Sequence, residues 1–315
     1  MPATDFDIID AHVHLYRSLD LERKNVVHPG RRDRDRWANP ESVTSHMDRE
    51  GISKIVCLPN FPTRQMRQSL LSELPAELTG DERKAAAADI EGNLASRLRR
   101  QNAWMCQTAA DNPRLVPAIS MQKVFSPEEM VQELQLRVSQ GARIVKMLPG
   151  MYFEHPADRA FWPMYEACAD LDVAVVSDTG TLGQPDSGVA YGEPANFAEV
   201  LAAFPRLRLV MAHFPSAYWD ERVTLAQQFP NLYFDTSGSF YAENIEVRDG
   251  PRAAALEDAT RLIRSVGADR FMFGSDGPRF LLQPQLEQII GLDLTDDERQ
   301  MILADNARRI YRIAD

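Results

Sequence analysis

The chain has 315 residues, of which 44% are hydrophobic and 26% are charged, and its formal net charge is −11. The acidic balance disfavours a nucleic-acid partner, because a surface that binds phosphates needs a basic surplus. No apolar run approaches the roughly 18 residues that cross a membrane, and the first ten residues lack the pattern of a secretory signal. The three cysteines show no metal-like spacing, and we expect a cytoplasmic protein without membrane contact.

Short apolar runs that end in polar residues are predicted to be strands. Helical patterns alternate with them, and this alternation predicts a parallel sheet with crossover helices. Eight such repeats close a (β/α)8 TIM barrel, so we predict one α/β domain over residues 1–315. A doubly wound open sheet is the alternative, but no glycine-rich phosphate turn follows the first strand. The predicted strands are Phe6 to His12, Ile52 to Leu58, Leu115 to Ile119, Arg143 to Leu148, Val173 to Ser177, Leu207 to Ala212, Leu232 to Phe234 and Arg270 to Phe273. The predicted helices are Glu41 to Glu50, Pro127 to Ser139, Ala157 to Leu171, Pro194 to Phe204, Ala217 to Phe229 and Arg252 to Val266.

Two predicted loops, after strands 1 and 2, are unusually long, and both leave the barrel face that carries the chemistry of such enzymes. The first, Leu15 to Pro40, contains a run of arginines that begins with Arg31 and Arg32. This run is either a solvated surface or a clamp for phosphate groups. The second loop, from Asn60 to about Asp111, contains a helical stretch and is predicted to form a lid.

The first predicted strand ends in His12-Val13-His14. Side chains alternate along a strand, so the two imidazoles are expected to share one face. Neutral imidazoles are the commonest protein ligands for zinc and for divalent iron. The pair therefore indicates a metal site, although the same spacing also occurs by chance on solvated strand ends.

The other predicted strands end in residues of the same chemical kind. Strand 4 ends in Lys146, strand 5 is followed by Asp178, strand 6 by His213 and strand 8 by Asp276. The carboxyl ends of barrel strands share one rim, so we expect these side chains to meet His12 and His14 there. Such a set is typical of a metal site.

The chain resembles the amidohydrolase superfamily, in particular its amidohydrolase-2 branch, almost from end to end. The resemblance rests on the stretches IIDAHVH, SHMDREGISKIV, GARIVKMLPG, FPRLRLVMAHFP, FPNLYFDTSG, RFMFGSDGP and DNARRIY. It implies that His12, His14 and Asp276 bind a catalytic metal and that His213 is a ligand or an acid/base.

Asp178 departs from the family pattern, since it stands in the place of a histidine ligand. A carboxylate there adds hard oxygen donors, which suit iron or manganese and can support a second ion; a degenerate site without metal is the alternative. Lys146 either pairs with Asp178 or Asp276 as an ammonium or, as the resemblance implies for dinuclear members, is carboxylated and bridges two metals. We count Lys146 with His213 and Asp276 as the catalytic candidates.

Two reaction classes follow from such a site. One is metal-dependent hydrolysis of an amide, ester or lactone, or the related decarboxylation, with zinc or manganese. The other is hydroxylation by two nonheme iron ions and dioxygen, because the pattern around Asp178 also resembles the diiron monooxygenase of platensimycin and platencin biosynthesis. The carboxylate at position 178 favours the monooxygenase, which is the main prediction.

The resemblance to that monooxygenase implies a small substrate linked to coenzyme A. We therefore expect Arg31 and Arg32 in the first long loop, with Arg97 and Arg100 in the second, to bind its phosphates. Trp104 is expected to pack against its apolar acyl group. The sequence leaves homo-oligomerisation open.

Overall fold

Eight parallel strands, β1 to β8, pair in chain order in the computed structural model, which describes residues 5–26, 36–179, 186–214, 218–238 and 252–314. For residues 186–187 and 252–258 it describes only the backbone. Each strand is short and almost wholly buried, as expected of a parallel sheet covered by helices. The strands are β1 Ile9–Val13, β2 Lys54–Cys57, β3 Leu115–Ser120, β4 Ile144–Met147, β5 Ala174–Ser177, β6 Leu209–Met211, β7 Leu232–Asp235 and β8 Phe271–Met272.

Backbone hydrogen bonds between β1 and the residues after β8 close the barrel. Ala11 N–H donates to the carbonyl of Phe273 at 2.9 Å, and Asp276 N–H donates to the carbonyl of His12 at 2.9 Å. His14 N–H donates to the carbonyl of Gly277 at 2.7 Å. The predicted (β/α)8 barrel is therefore confirmed, and its closure joins the backbones that carry His12, His14 and Asp276.

The pairing of β1 with β2 shifts register between Asp10 and Val13. Before the shift, Ile9 and Ala11 pack into the cluster of apolar side chains that fills the barrel. After it, His12 and His14 contact the buried side chains at the carboxyl end of the barrel. An extra residue in a strand redirects the side chains that follow it. Simple alternation would put Ala11 and His12 on opposite faces, so this irregularity brings both apolar and ligating side chains inward.

The described helices lie between the strands and follow β8. The predicted helices Pro127–Ser139 and Arg252–Val266 have the predicted bounds. Ser126 caps the first of these, in a capping box with Glu129, and proline occupies its first position, so local chemistry fixes its start. The helices are α1 Leu19–Asn25, α2 Val43–Glu50, α3 Thr63–Ser72, α4 Gly80–Asp111, α5 Pro127–Ser139, α6 Pro149–Tyr152, α7 Trp162–Asp170, α8 Ala198–Ala203, α9 Trp219–Gln228, α10 Arg252–Val266, α11 Leu282–Ile290, α12 Asp296–Gln300 and α13 Asn306–Tyr311.

The segment between β2 and β3, predicted to be a lid, contains α3 and the 32-residue helix α4. The buried side chains of α4 begin at Ile90, so its first turns project beyond the barrel wall. Farther along, the buried Asn102 donates to the carbonyl of Ser120 at 3.1 Å and accepts from the N–H of Ser120 at 2.9 Å. The second half of α4 is thus attached to β3, and its service as a lid stays a prediction. Among the described residues, no helix has the length and apolarity to span a membrane.

A buried carboxylate reinforces the closure of the barrel. Asp10 accepts hydrogen bonds from the N–H of Ser275 at 2.9 Å, from Ser275 Oγ at 2.5 Å and from the N–H of His12 at 3.2 Å. Burial raises the pKa of Asp10 to about 7, although these three donors oppose the shift. Asp10 therefore joins β1 to the residue immediately before Asp276.

We expect Asp10→Ala to lower the free energy of unfolding by about 1–3 kcal/mol, because it leaves the buried N–H of Ser275 without an acceptor. Asp10→Asn keeps an acceptor oxygen and should lose less. Urea unfolding followed by circular dichroism measures both, with Asp48→Ala, at a surface ion pair with Arg114, as the control. Equal stability of Asp10→Ala and the control would show that the closure does not depend on this carboxylate.

Candidate metal centre

Two histidines and one aspartate meet where β1 and β8 end. His12, His14 and Asp276 each offer one ligand atom, and these atoms lie within 4.8 Å of one another. His14 Nε2 is 3.0 Å from Asp276 Oδ1, and His12 Nε2 is 3.9 Å from the same oxygen. All three residues are buried. Two imidazoles and one carboxylate that leave other positions open are a common ligand set for divalent transition metals.

The same ring nitrogen is held in all three histidines near this centre. His12 Nδ1 donates to Asp235 Oδ2 at 2.9 Å, and His14 Nδ1 donates to the carbonyl of Leu58 at 2.9 Å. His213 Nδ1 donates to the carbonyl of Ser237 at 2.8 Å. An acceptor at Nδ1 places the proton there in the neutral rings of His12 and His14, so their Nε2 atoms face the centre with a free lone pair, whereas Nε2 of His213 faces Asp178.

The protonation states agree with this arrangement. Burial and the nearby Lys146 ammonium lower the pKa of His12 to about 4, so its ring is neutral at pH 7. Burial acts to raise the pKa of Asp276, but His14 and Arg279 outweigh it and hold this pKa below its usual value. The centre therefore presents a neutral nitrogen beside an ionised carboxylate, as metal binding requires.

Asp178 belongs to a second group at the same rim. Its Oδ1 is 2.5 Å from His213 Nε2 and 3.6 Å from Lys146 Nζ. Burial acts to raise the pKa of Asp178, but the charges of His213 and Lys146 lower it well below its usual value. In turn Asp178 raises the pKa of His213 against the effect of burial. The carboxylate that replaces the family histidine is thus neutralised by two protein cations.

Lys146 is fully buried and also contacts the proposed ligand set. Its Nζ is 3.5 Å from His12 Nε2, which can accept a hydrogen bond from the ammonium. Asp178 and His12 therefore hold the lysine between the two groups of side chains. A buried ammonium in this place needs a neighbouring carboxylate, which Asp178 supplies.

Asp235 contacts both the group of His12, His14 and Asp276 and the group that contains His213. Besides His12, its carboxylate accepts from the backbone N–H groups of His213 at 3.2 Å and Ser237 at 3.1 Å, and from Ser237 Oγ at 2.5 Å. Burial acts to raise the pKa of Asp235, but the hydrogen bond from His12 and the charges of His213 and Lys146 lower it below its usual value. Asp235 is not among the residues that the sequence nominated for the site, yet it orients the His12 ring and holds the backbone N–H of His213.

The backbone is strained at two of these positions. His213 has a φ of 66° and Asp276 a φ of 54°, in the left-handed region that residues other than glycine seldom adopt. The buried Arg222, on α9, donates to the carbonyl of His213 at 3.0 Å and to the carbonyl of Thr179 at 2.9 Å. Such strain persists only where the surroundings enforce it, and it is common at functional sites. Sequence reasoning missed Arg222, because nothing in its helix marks it as buried.

Several of these groups line a cleft that opens to solvent, and its empty space, including the open mouth, is about 290 Å³. Its wall combines the acidic and imidazole groups with two apolar residues and one arginine that the sequence did not single out, Arg279. The lining residues are His14, Asn60, Leu148, Met151, Asp178, His213, Asp276 and Arg279.

The residues present fit one divalent metal ion. Both carboxylate oxygens of Asp276 are buried without a hydrogen-bond donor among the described residues. The nearest group is His14 Nε2 at 3.0 Å, which carries no proton in the neutral form of the ring that metal binding requires. Two lone pairs facing each other across 3.0 Å are unfavourable unless a cation lies between them. The pairing of Asp178 with Lys146 and His213 leaves no such unsatisfied carboxylate there for a second ion.

Among the predicted substrate-binding residues that the structure describes, Arg97, Arg100 and Trp104 do not line this cleft. Arg31 and Arg32 lie outside the described residues. Arg97 and Arg100 are exposed on α4, and Trp104 is half-buried with Arg17 stacked at 5.4 Å from its ring. Their role in substrate binding stays a prediction.

The chain belongs to the amidohydrolase family (Amidohydro_2), whose model matches residues 9–313. It is 24% identical to the gamma-resorcylate decarboxylase of Rhizobium radiobacter over 264 residues, which are 68% of this chain and 76% of the relative. Among solved structures, the 5-carboxyvanillate decarboxylase of Sphingomonas paucimobilis matches with a TM-score of 0.66 and 19% identity, covering 98% of this chain and all (100%) of that one. A dihydroxybenzoic acid decarboxylase of Polaromonas sp., solved with bound manganese and the inhibitor 2-nitroresorcinol, has a TM-score of 0.67 and 14% identity, covering 98% and 97%.

The prediction of a diiron monooxygenase is wrong. The relative and the two structures described above are decarboxylases, other similar structures include a 2-pyrone-4,6-dicarboxylic acid hydrolase, and the metal named with one of the decarboxylases is manganese. Neither iron nor dioxygen nor coenzyme A is indicated by these similarities. The carboxylate of Asp178 favoured iron in the sequence, but in the structure Lys146 and His213 compensate its charge.

We expect Asp235→Asn to weaken Mn²⁺ binding by roughly 10- to 100-fold, because an amide no longer fixes the orientation of the His12 ring. Isothermal titration calorimetry measures the affinity, and circular dichroism checks that the barrel is intact. Asp48→Asn is the matched control on the surface. Equal Mn²⁺ affinity of the two variants would argue against metal binding by His12.

Proposed function

We propose that this chain is a metal-dependent decarboxylase of a hydroxylated aromatic carboxylate, with His12, His14 and Asp276 as ligands of one Mn²⁺ ion. The observation that carries the proposal is the buried carboxylate of Asp276, which faces the Nε2 atoms of two oriented imidazoles. Manganese accepts mixed nitrogen and oxygen ligands. The similarity to decarboxylases favours this reaction over hydrolysis.

The bound ion would supply a positive charge that holds the substrate carboxylate and an adjacent hydroxyl oxygen at the end of the cleft. Leu148 and Met151 supply an apolar wall against which an aromatic ring can pack. Asp178, Lys146 and His213 lie on the other side of the same rim. The cleft thus offers a charged end and an apolar side to a flat acid.

Decarboxylation breaks the bond between the ring and the carboxylate carbon. Carbon dioxide leaves, the electron pair remains with the ring carbon, and that carbon takes up a proton. His213 is the group that we assign to deliver this proton, because its Nε2 lies at the cleft and is hydrogen-bonded to Asp178 at 2.5 Å. Asp178 orients the ring and favours its protonated form. The reaction needs no oxidant.

The direct test incubates Mn²⁺-loaded protein with 2,6-dihydroxybenzoate and with 5-carboxyvanillate. We expect release of carbon dioxide, an equal amount of the decarboxylated phenol, and the same rate without oxygen. In D₂O the vacated ring carbon should carry deuterium. Turnover of esters or lactones by the loaded protein, without carbon dioxide release from any hydroxybenzoate, would instead establish a hydrolase.

We expect His213→Asn to lower kcat by about 10²- to 10⁴-fold, which is the usual contribution of a positioned proton donor. Mn²⁺ affinity should change little, because His213 is not one of the three proposed ligands. Steady-state kinetics and calorimetry measure the two effects separately. A loss of Mn²⁺ binding as large as that of Asp276→Asn would make His213 a ligand and not the proton donor.

A further inference from the structure

Arg279 lies at the cleft and has no part in the reaction described above. It follows Asp276 by three residues, in a turn in which Arg279 N–H donates to the carbonyl of Asp276 at 3.0 Å. This turn brings its side chain back toward the proposed ligand, with Nη1 at 3.9 Å from Asp276 Oδ2. The side chain is 48% exposed, whereas Asp276 is buried. Arg279 therefore lies between the buried centre and the open side of the cleft.

The positive charge of Arg279 is only weakly compensated by the neighbouring groups. Lys146 lies near Asp178 at the bottom of the cleft, and Asp276 would face a divalent ion. The distance of 3.9 Å from Arg279 to Asp276 is at the outer limit of an ion pair, and about half of the side-chain surface of Arg279 remains accessible. A guanidinium presents several donors in a planar fork, which matches the two oxygens of a carboxylate.

We propose that Arg279 binds a second anionic group of the substrate, a carboxylate that is retained when the first one leaves, and so selects aromatic dicarboxylates over monocarboxylates. This inference rests on the proposed function, since it assumes that an aromatic acid occupies the cleft. The first carboxylate lies at the metal end and the ring along Leu148 and Met151. The second then lies on the open side, where Arg279 is accessible.

The test measures equilibrium binding of two unreactive probes to the Mn²⁺-loaded protein by calorimetry: benzene-1,3-dicarboxylate and benzoate. The unmodified protein should bind the dicarboxylate at least about tenfold more tightly, as expected for an added hydrogen-bonded charge pair. Arg279→Gln should abolish this preference; benzoate should still bind, and Mn²⁺ affinity should not fall, because the change removes a positive charge near the ligand Asp276. Arg279→Lys should retain part of the preference, because lysine keeps the charge but not the fork.

Arg159→Gln is the matched control, because it removes an equal charge at an exposed pair with Glu199. It should keep the preference. The proposal is overturned if the unmodified protein shows no preference, or if Arg279→Gln weakens both probes and Mn²⁺ equally, since Arg279 would then only position Asp276. If the proposed function is wrong, the decarboxylation assay shows no carbon dioxide release from either hydroxybenzoate, whatever the binding preference.

Discussion

The hydrogen bond between His12 Nδ1 and the buried carboxylate of Asp235 connects the first strand of the barrel to the seventh. It decides which nitrogen of His12 faces Asp276, and the same carboxylate holds the backbone N–H of His213. A carboxylate can remain ionised in the interior only if several donors surround it, and here imidazole, hydroxyl and backbone groups do so. The orientation of the site therefore depends on a residue that does not itself line the cleft.

Charge compensation explains why the rim divides into two parts. Asp178 lies near the Lys146 ammonium and contacts the His213 imidazole, so its negative charge is already neutralised. Asp276 has no buried lysine or arginine beside it among the described residues; it lies beside the imidazole nitrogens of His14 and His12, with the partly exposed Arg279 at 3.9 Å. One part of the rim is thus satisfied by the protein, and the other has the composition of a site for one divalent ion. The apolar wall and Arg279 complete a cleft whose chemistry suits an acid with a flat ring.

Much of the fold was predictable because it follows local rules. Parallel strands buried on both faces appear as short apolar runs, and the capping box at Ser126 and Glu129 marks where α5 begins. The residues at the strand ends could be named because parallel strands of a barrel end at one rim. The type of reaction was mispredicted, because the effect of Asp178 depends on which cations lie within a few ångströms of it. Arg279 was missed because its place depends on a turn whose geometry has no clear signature in the sequence.

The sequence by itself determined the barrel, its order of strands and the candidate residues at the strand ends, because periodicity and chain order are local properties. Only the tertiary structure showed the register shift in β1 that turns both Ala11 and His12 inward. Only it showed the pairing of Asp178 with Lys146 and His213, and the support of His12 by Asp235. These contacts join residues far apart in the chain, and the protonation and charge of each group depend on its neighbours in space.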